Sequence, residues 1–374
     1  MTTKGDQCPV ADASSWVSVF AVLGLFFVAY FLARILYALW RGFYTCYLAR
    51  WLGHNVNLRK MGEWAVVTGA SDGIGRAYCE ELAARGLNIV LISRTLEKLE
   101  AVARDIVPLW HAVTKYLCVA PKVFNRCARL VLNERNSVLA VVCLNNVGVS
   151  YVYPEFFSVV PDGDRVMDNI IRANCVAGTM MTRICLPQMD ERRRGVIINV
   201  SSISAMHPLP LLSTYAASKA YTDFLSQGLQ AEYKERGIYI QSVMPAYVST
   251  KMSKIRKATY MVPTATAYVR EALNTVGVEH ATYGYGPHKF RVRPPCLFIP
   301  NWQVMVMDLG GMPKLRHAGL GQRKLMECLP HDVFMNISRA SLLQIRKLYY
   351  KKKNIQDTFL GKSLPASGGD TKSQ

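Results

Sequence analysis

Length, composition and charge limit what this chain can be. It has 374 residues, 51% hydrophobic and only 19% charged, so it is too apolar to be disordered and long enough to bury its own core. The net charge is +19, but residues 287–374 hold 15 basic and 5 acidic side chains, whereas residues 61–286 hold 24 and 19. Basic ends around a balanced middle favour an anionic membrane surface or ligand, and we expect no nucleic-acid partner.

The N-terminal region contains an apolar segment long enough to cross a bilayer. Between Asp12 and Arg34 there is no charge, and residues 16–33 are almost entirely apolar. The stretch that follows, up to residue 62, has five basic residues and no acid, so the positive-inside rule places the bulk of the chain in the cytosol. A cleaved signal peptide is the alternative, but the basic start is weak and no clear cleavage site follows. We predict a membrane anchor with a basic juxtamembrane segment over residues 1–60.

A strand, a glycine-rich turn and a helix follow the anchor. A β-branched run leads into T-G-A-S-D-G-I-G at 68–75, then a helical stretch, then a second strand at Asn88–Ser93. Gly69 permits a tight turn, Gly73 lets the backbone approach a diphosphate, and Gly75 lets the helix pack closely on the strand. The order predicts a bound dinucleotide, with a purely structural glycine turn as the alternative.

The residues after the second strand indicate which dinucleotide. Where an acid would bind a ribose 2′-hydroxyl, the sequence has Ser93 and Arg94, and a cation suits a 2′-phosphate. The prediction is therefore NADP(H) rather than NAD. Asp72 inside the glycine turn weakens this prediction, and the alternative for Arg94 is a solvated side chain at the start of a helix.

Four polar residues form a candidate catalytic group. Asn174 lies in a helical stretch, Ser202 follows an apolar strand, and Tyr215 and Lys219 are four apart on one helix face. An ammonium within reach of a phenol lowers the tyrosine pKa and makes it a usable acid or base. A lone Y-x-x-x-K pair usually lies on a solvated helix face. Here its position after the nucleotide turn is what favours a catalytic role. The ten cysteines lie at irregular spacing without a C-x-x-C pair, and we expect no metal.

Together these motifs resemble the short-chain dehydrogenase/reductase family over about residues 60–260. The resemblance implies an α/β fold with a doubly wound parallel sheet of Rossmann type. It divides the chain into the anchor, an NADP-binding domain at 61–286, a C-terminal extension at 287–350 and a flexible tail at 351–374. Within the extension, residues 294–307 are apolar but too short to span a bilayer, so they are either a core element or an interfacial segment.

The resemblance also implies a role for each site residue. Tyr215 would protonate the substrate oxygen, Lys219 would hold the nicotinamide ribose and lower the Tyr215 pKa, Ser202 would bind and orient the substrate carbonyl, and Asn174 would hold a relay water. The implied NADP(H) contacts are Gly69, Ser71, Asp72, Gly73, Ile74, Gly75, Ser93, Arg94, Asn145, Asn146, Gly148, Tyr215, Lys219, Pro245, Val248 and Thr250. The acid that usually ends the third strand and meets the adenine is missing from residues 118–124.

Finer motifs at 146–155, 251–257 and 274–277 resemble a microsomal hydroxysteroid dehydrogenase branch of the family. This implies NADPH-dependent reduction of the 3-keto group of a very-long-chain 3-oxoacyl-CoA in fatty acid elongation, at the cytosolic face of the endoplasmic reticulum membrane. A 17-ketosteroid reductase is the alternative. A membrane-bound pseudoenzyme scaffold would not need all four catalytic residues. Membrane lipid and a second copy of the chain are the other expected partners.

Overall fold

The computed structural model describes residues 13–118, 140–292, 331–353 and 355. In this part of the chain, seven strands form one parallel sheet in the order β3-β2-β1-β4-β5-β6-β7. The strands are β1 (Trp64–Thr68), β2 (Asn88–Ser93), β3 (Thr114–Cys118), β4 (Ala140–Asn145), β5 (Gly195–Val200), β6 (Ile238–Val243) and β7 (Ala281–Thr282). The strand order reverses between β1 and β4, which opens a crevice at their carboxyl ends. The predicted doubly wound α/β fold is confirmed.

Nine helices of seven or more residues accompany the sheet within the described ranges. They are α1 (Ala13–Phe43), α2 (Gly73–Ala84), α3 (Leu96–Trp110), α4 (Gly163–Ile171), α5 (Ala177–Glu191), α6 (Ser213–Tyr233), α7 (Ala265–Leu273), α8 (Gly286–Val292) and α9 (His331–Lys353). A five-residue π-helical turn joins α4 to α5.

Both faces of the sheet are covered by helices. Val67 of β1 lies in one apolar cluster with Leu82 of α2 and Val269 of α7, whereas its neighbour Val66 lies in another with Met181 of α5. Strands β4 and β5 are buried along their whole length. This is why they read as continuous apolar runs, the pattern of parallel strands covered on both sides.

Helix α1 differs from the other helices because its apolar surface is exposed. The 24 residues Phe20–Phe43 are long and apolar enough to cross a membrane, and none of that window is buried against the rest of the protein. Leu25 and Phe26 expose 70% and 71% of their surface. A helix that is apolar all round is stable in water only if other surfaces cover it, and within the part of the chain that the structure describes nothing covers α1.

The segment after α1 packs onto the domain. The Val56 N–H donates to the Val276 carbonyl oxygen at 3.1 Å. The Lys289 ammonium lies 2.8 Å from a Glu279 carboxylate oxygen and 2.9 Å from the Thr45 hydroxyl. Lys289 is thus engaged inside the protein.

Helix α9 brings the C-terminal region back to the domain. It continues to Lys353, three residues into the region expected to be a flexible tail. The apolar segment 294–307, residues 119–124 after the third strand and the tail from 356 lie outside the described residues. The expectations for these segments stay predictions.

Candidate active site

The four candidate catalytic residues meet at the carboxyl edge of the sheet. Ser202 follows β5 by two residues, and Tyr215 and Lys219 lie near the start of α6. Asn174 lies in the π-helical turn Arg172–Val176, which precedes α5. The Ser202 hydroxyl lies close enough to the Tyr215 phenol to lower its pKa, so the proton donor and the residue expected to bind the carbonyl are adjacent.

Lys219 is buried beside Tyr215. Only 5% of its surface is exposed, and its ammonium donates to the Val200 carbonyl oxygen at 2.9 Å. The Nζ atom lies 6.0 Å from the centre of the Tyr215 ring. A Cβ on Gly148 would lie 3.1 Å from this Nζ, so the absence of a side chain at Gly148 makes room for the lysine. Burial lowers the pKa of Lys219 to about 8.

The pKa of Tyr215 shifts in the direction opposite to the one expected from its lysine neighbour. Burial of the phenol raises the pKa, and the nearby Ser202 and Ser204 hydroxyls lower it by less. The predicted lowering of the Tyr215 pKa is therefore wrong for this structure. The physical reason is that the Lys219 ammonium points to the Val200 carbonyl and not to the phenol oxygen.

Asn174 fixes the backbone next to the catalytic residues. Its Oδ1 accepts the Val149 N–H at 2.8 Å, and its Nδ2 donates to the Val149 carbonyl oxygen at 3.0 Å and to the Ser218 hydroxyl at 2.8 Å. The side chain is 5% exposed. It links α6 to the loop after β4, and the relay water stays a prediction.

The glycine turn leaves no space for a side chain at Gly75. Gly69 has φ +66°, and a Cβ on Gly75 would lie 2.2 Å from the Gly69 carbonyl oxygen and 2.4 Å from Asn146 Nδ2. The Asn146 amide in turn donates to the Thr68 and Gly69 carbonyl oxygens, both at 3.3 Å. Asn146 therefore holds the turn in shape from the neighbouring strand.

Asp72 in the glycine turn is paired with a cation, Lys251, that lies 179 positions away in the sequence. One carboxylate oxygen accepts the Gly73 N–H at 3.1 Å, and the other lies 2.6 Å from the Lys251 ammonium. Burial raises the pKa of Asp72, but Lys251 and the Gly73 N–H together bring it below its usual value. Lys98 adds a further favourable charge. The acid in the turn is thus paired, and the basic run at 251–257 was the only sequence signal for this pair.

The end of β2 lies against the glycine turn. The Ser71 and Ser93 hydroxyls are 2.9 Å apart, and the Ala70 N–H donates to the Ile92 carbonyl oxygen at 3.2 Å. Arg94 is the next residue and is exposed. Arg94 thus follows directly after the residue that contacts the turn, and its contact with a 2′-phosphate stays a prediction.

The segment after β6 crosses from the catalytic side to the nucleotide side. The Pro245 carbonyl oxygen accepts the Ile203 N–H at 3.1 Å, and Val248 is buried. A Cβ on Gly73 would lie 3.4 Å from the Thr250 methyl carbon, so Thr250 lies directly over the turn.

Asn145 is placed differently from the other expected cofactor contacts. Its amide donates to the Thr182 hydroxyl at 2.9 Å and to Asn199 Oδ1 at 2.7 Å, between the sheet and α5. The side chain is thus committed to an internal network. It supports the shape of the crevice instead of facing the glycine turn, where Asn146 lies.

Comparisons with known proteins agree with this geometry. The model of a family described as short chain dehydrogenase matches residues 63–260. The chain is 46% identical over 315 residues to very-long-chain 3-oxoacyl-CoA reductase-B of Danio rerio, covering 80% of this chain and 95% of that one. It is 48% identical over 297 residues to very-long-chain 3-oxoacyl-CoA reductase of Anas platyrhynchos, covering 78% and 84%. A short-chain dehydrogenase from Sphingobium yanoikuyae, solved in complex with NADPH, superposes with TM-score 0.51 at 25% identity, covering 70% and 100%.

Proposed function

The chain belongs to the short-chain dehydrogenase family, and on that premise we propose that it is an NADPH-dependent reductase of very-long-chain 3-oxoacyl-CoA. The observation that carries the substrate class is the identity of 46% and 48%, over most of both chains, to two reductases named for that substrate. Likeness of fold alone would not carry it, because one fold supports many substrates.

The crevice fits a phosphorylated dinucleotide. Because Gly75 packs closely on the Gly69 carbonyl and has no side chain, the backbone at the start of α2 is accessible. A helix N-terminus such as this one favours a bound anion. The carboxylate of Asp72 is paired with Lys251, so it does not repel a phosphate strongly. Arg94 would hold a 2′-phosphate and Lys219 the nicotinamide ribose. When bound, NADPH supplies the hydride for the reduction.

The protein's own residues handle the proton. A raised pKa keeps the Tyr215 phenol protonated at neutral pH, which suits a group that must donate a proton to a ketone oxygen. Ser202 lies beside the phenol and would donate a hydrogen bond to the same oxygen. With a pKa of about 8, Lys219 is mostly charged at pH 7, so a positive charge lies 6.0 Å from the centre of the Tyr215 ring.

The test is a comparison of substrates on the full chain in detergent micelles. NADPH oxidation is followed with a long 3-oxoacyl-CoA, a short 3-oxoacyl-CoA and a 17-ketosteroid. We expect the long acyl-CoA to have the highest kcat/KM, and NADPH to be preferred over NADH. A higher kcat/KM with the steroid would overturn the substrate, and binding of NADPH without turnover of any ketone would favour a scaffold.

We also propose that α1 anchors the enzyme in the endoplasmic reticulum membrane with the domain in the cytosol. Its exposed apolar surface and the basic residues after it support this orientation. Asn336 begins an Asn-Ile-Ser acceptor site on α9 and is exposed, whereas the acceptor Asn199 is buried in β5. We expect Asn336 to stay unglycosylated in cells, and a glycan there would contradict the orientation.

A further inference from the structure

Helix α9 is joined to the domain by an ion pair that is fully buried. The Arg346 Nε lies 2.5 Å from a Glu155 carboxylate oxygen, and both side chains are 1% exposed. The Tyr350 hydroxyl donates to the other carboxylate oxygen, and Arg346 donates to that hydroxyl at 3.1 Å. The backbone N–H of Phe156 also donates to Glu155. Every oxygen of this buried carboxylate is thus satisfied.

Aromatic and basic residues extend the contact beyond the ion pair. Tyr153 stacks on Tyr349 with ring centres 4.0 Å apart. The Lys254 ammonium lies 5.9 Å from the centre of the Tyr349 ring and donates to the Val152 carbonyl oxygen at 2.9 Å. Three parts of the chain that are distant in sequence, namely 152–156, Lys254 and the end of α9, therefore meet at one place.

The loop that α9 holds is the loop next to the catalytic residues. We call residues 146–156 the strand-4 loop, since it follows β4. Val149 in this loop is bound by Asn174 through two hydrogen bonds. The Tyr151 hydroxyl accepts the N–H of Thr214, the residue before Tyr215, at 3.3 Å. A shift of the strand-4 loop would therefore be transmitted to the start of α6.

A buried ion pair is a poor means of gaining stability alone. Removing two charges from water costs free energy that the pair regains only with good geometry, and apolar residues of similar size often replace such pairs without loss of stability. What the pair with its hydrogen bonds does supply is a fixed direction for the carboxylate, and hence for the loop that carries it.

We propose that Arg346, together with Tyr350, is a positioning residue: through Glu155 it sets the strand-4 loop, and the loop sets the substrate side of the crevice beside Tyr215. The C-terminal extension is then part of the substrate-binding machinery. The kinetic part of this inference rests on the proposed reduction of long 3-oxoacyl-CoA, whereas its structural part does not.

The test uses the full chain in micelles and four variants. Arg346→Met removes one partner of the pair, and Glu155→Met/Arg346→Met removes both and leaves no buried charge. Tyr350→Phe keeps the pair and removes only the two hydrogen bonds of the Tyr350 hydroxyl, so it remains informative if Arg346→Met fails to fold. Lys347→Met, at an exposed position of the same helix, is the matched control. The readouts are thermal midpoint, NADPH affinity, KM for a long 3-oxoacyl-CoA, and deuterium uptake of residues 149–156.

If Arg346 is a positioning residue, KM should change independently of the thermal midpoint and of NADPH affinity. The double variant should regain the thermal midpoint lost by Arg346→Met, but its KM should stay raised by about fivefold while NADPH affinity changes less than about twofold. Tyr350→Phe should raise KM by about twofold. Deuterium uptake should rise in the strand-4 loop and not in α2.

Two results would overturn the proposal. One is a double variant that regains KM together with the thermal midpoint, because the pair would then be structural only. The other is unchanged deuterium uptake in the strand-4 loop of Arg346→Met and Tyr350→Phe. The exchange measurement needs no substrate, so it still decides the positioning question if the wild-type chain does not reduce 3-oxoacyl-CoA.

Discussion

The glycine turn on the nucleotide side of the crevice is shaped by residues that are close in sequence, whereas the substrate side is held by contacts between distant segments. On the nucleotide side, a Cβ added to Gly75 would lie only 2.2 Å from the carbonyl oxygen of Gly69, six positions earlier. On the substrate side, Glu155 meets Arg346 across 191 positions. Local steric constraints shape the first side, and tertiary contacts of the C-terminal helix shape the second.

This difference suggests that the two sides can be perturbed separately. The glycine turn and the end of β2 should govern cofactor affinity, and the strand-4 loop should govern substrate affinity. Tyr215 and Lys219 lie between the two sides. Lys219 contacts Val200 at the end of β5, and Tyr215 lies beside Ser202, which follows that strand. The predictions below test this separation.

Replacing Tyr215 with Phe should have the largest effect. The proton donor is lost while the ring remains, so turnover should fall by roughly a thousandfold with NADPH affinity near that of the wild type. The measurement is NADPH oxidation with a saturating long 3-oxoacyl-CoA, beside a fluorescence titration of NADPH. Tyr221→Phe, six residues further along α6 and exposed, is the control and should keep most activity. Near-wild-type turnover of the Tyr215→Phe variant would show that Tyr215 is not the proton donor.

Much of the nucleotide side could be predicted from the sequence, because its signals are local. The bounds of β2 were expected at Asn88–Ser93 and are observed there. The glycine turn precedes a helix as expected, and its close contacts explain why glycine stands at position 75. Helix spacing placed Tyr215 and Lys219 on one face, and the family resemblance implied that Ser202 lies beside them.

The substrate side could not be predicted in the same way. No local pattern around Glu155 or Arg346 indicates a partner, because the pairing depends on how α9 returns to the domain. The pairing of Asp72 with Lys251 spans 179 positions and was missed for the same reason. The direction of the Tyr215 pKa shift was also wrong, since spacing places Lys219 near the ring but does not reveal that its ammonium bonds to a backbone carbonyl.

Gly75→Ala should weaken NADPH binding without affecting the substrate side of the crevice. The added Cβ would meet the Gly69 carbonyl oxygen at 2.2 Å, and backbone cannot move aside as a flexible side chain can. Overpacking of this kind costs about 1–3 kcal/mol, so NADPH affinity should fall by roughly tenfold to a hundredfold. Gly228→Ala on α6, where nothing lies within 4 Å, is the control and should bind normally. Isothermal titration with NADPH checks both, and equal affinities would contradict the steric account.

Arg94→Asp should sharpen the cofactor assignment. Replacing attraction by repulsion at a 2′-phosphate should lower affinity for NADPH at least about tenfold more than affinity for NADH. Arg104→Asp places the same charge change at an exposed position of α3 and should affect both cofactors alike. The measurement is the ratio of the two kcat/KM values. An equal loss for both cofactors would show that Arg94 acts through structure rather than through the phosphate.

The smallest effect concerns Lys219, where the two sides meet. Burial lowers its pKa from 10.5 to about 8, so above pH 8 the folded protein binds fewer protons at this site than the unfolded chain does. Stability contributed by this site should therefore rise with pH, by about 1 kcal/mol between pH 7.5 and 9. The check is the free energy of unfolding of the wild type minus that of Lys219→Met, measured in urea across this range. Because the variant has no proton to lose, subtraction removes contributions common to both proteins, and pH 9 stays below the ordinary titration range of the buried tyrosines. A difference that is flat or falls with pH would mean that the ammonium at Val200 is stabilised by its surroundings, and that Lys219 is charged in the folded protein well above pH 8.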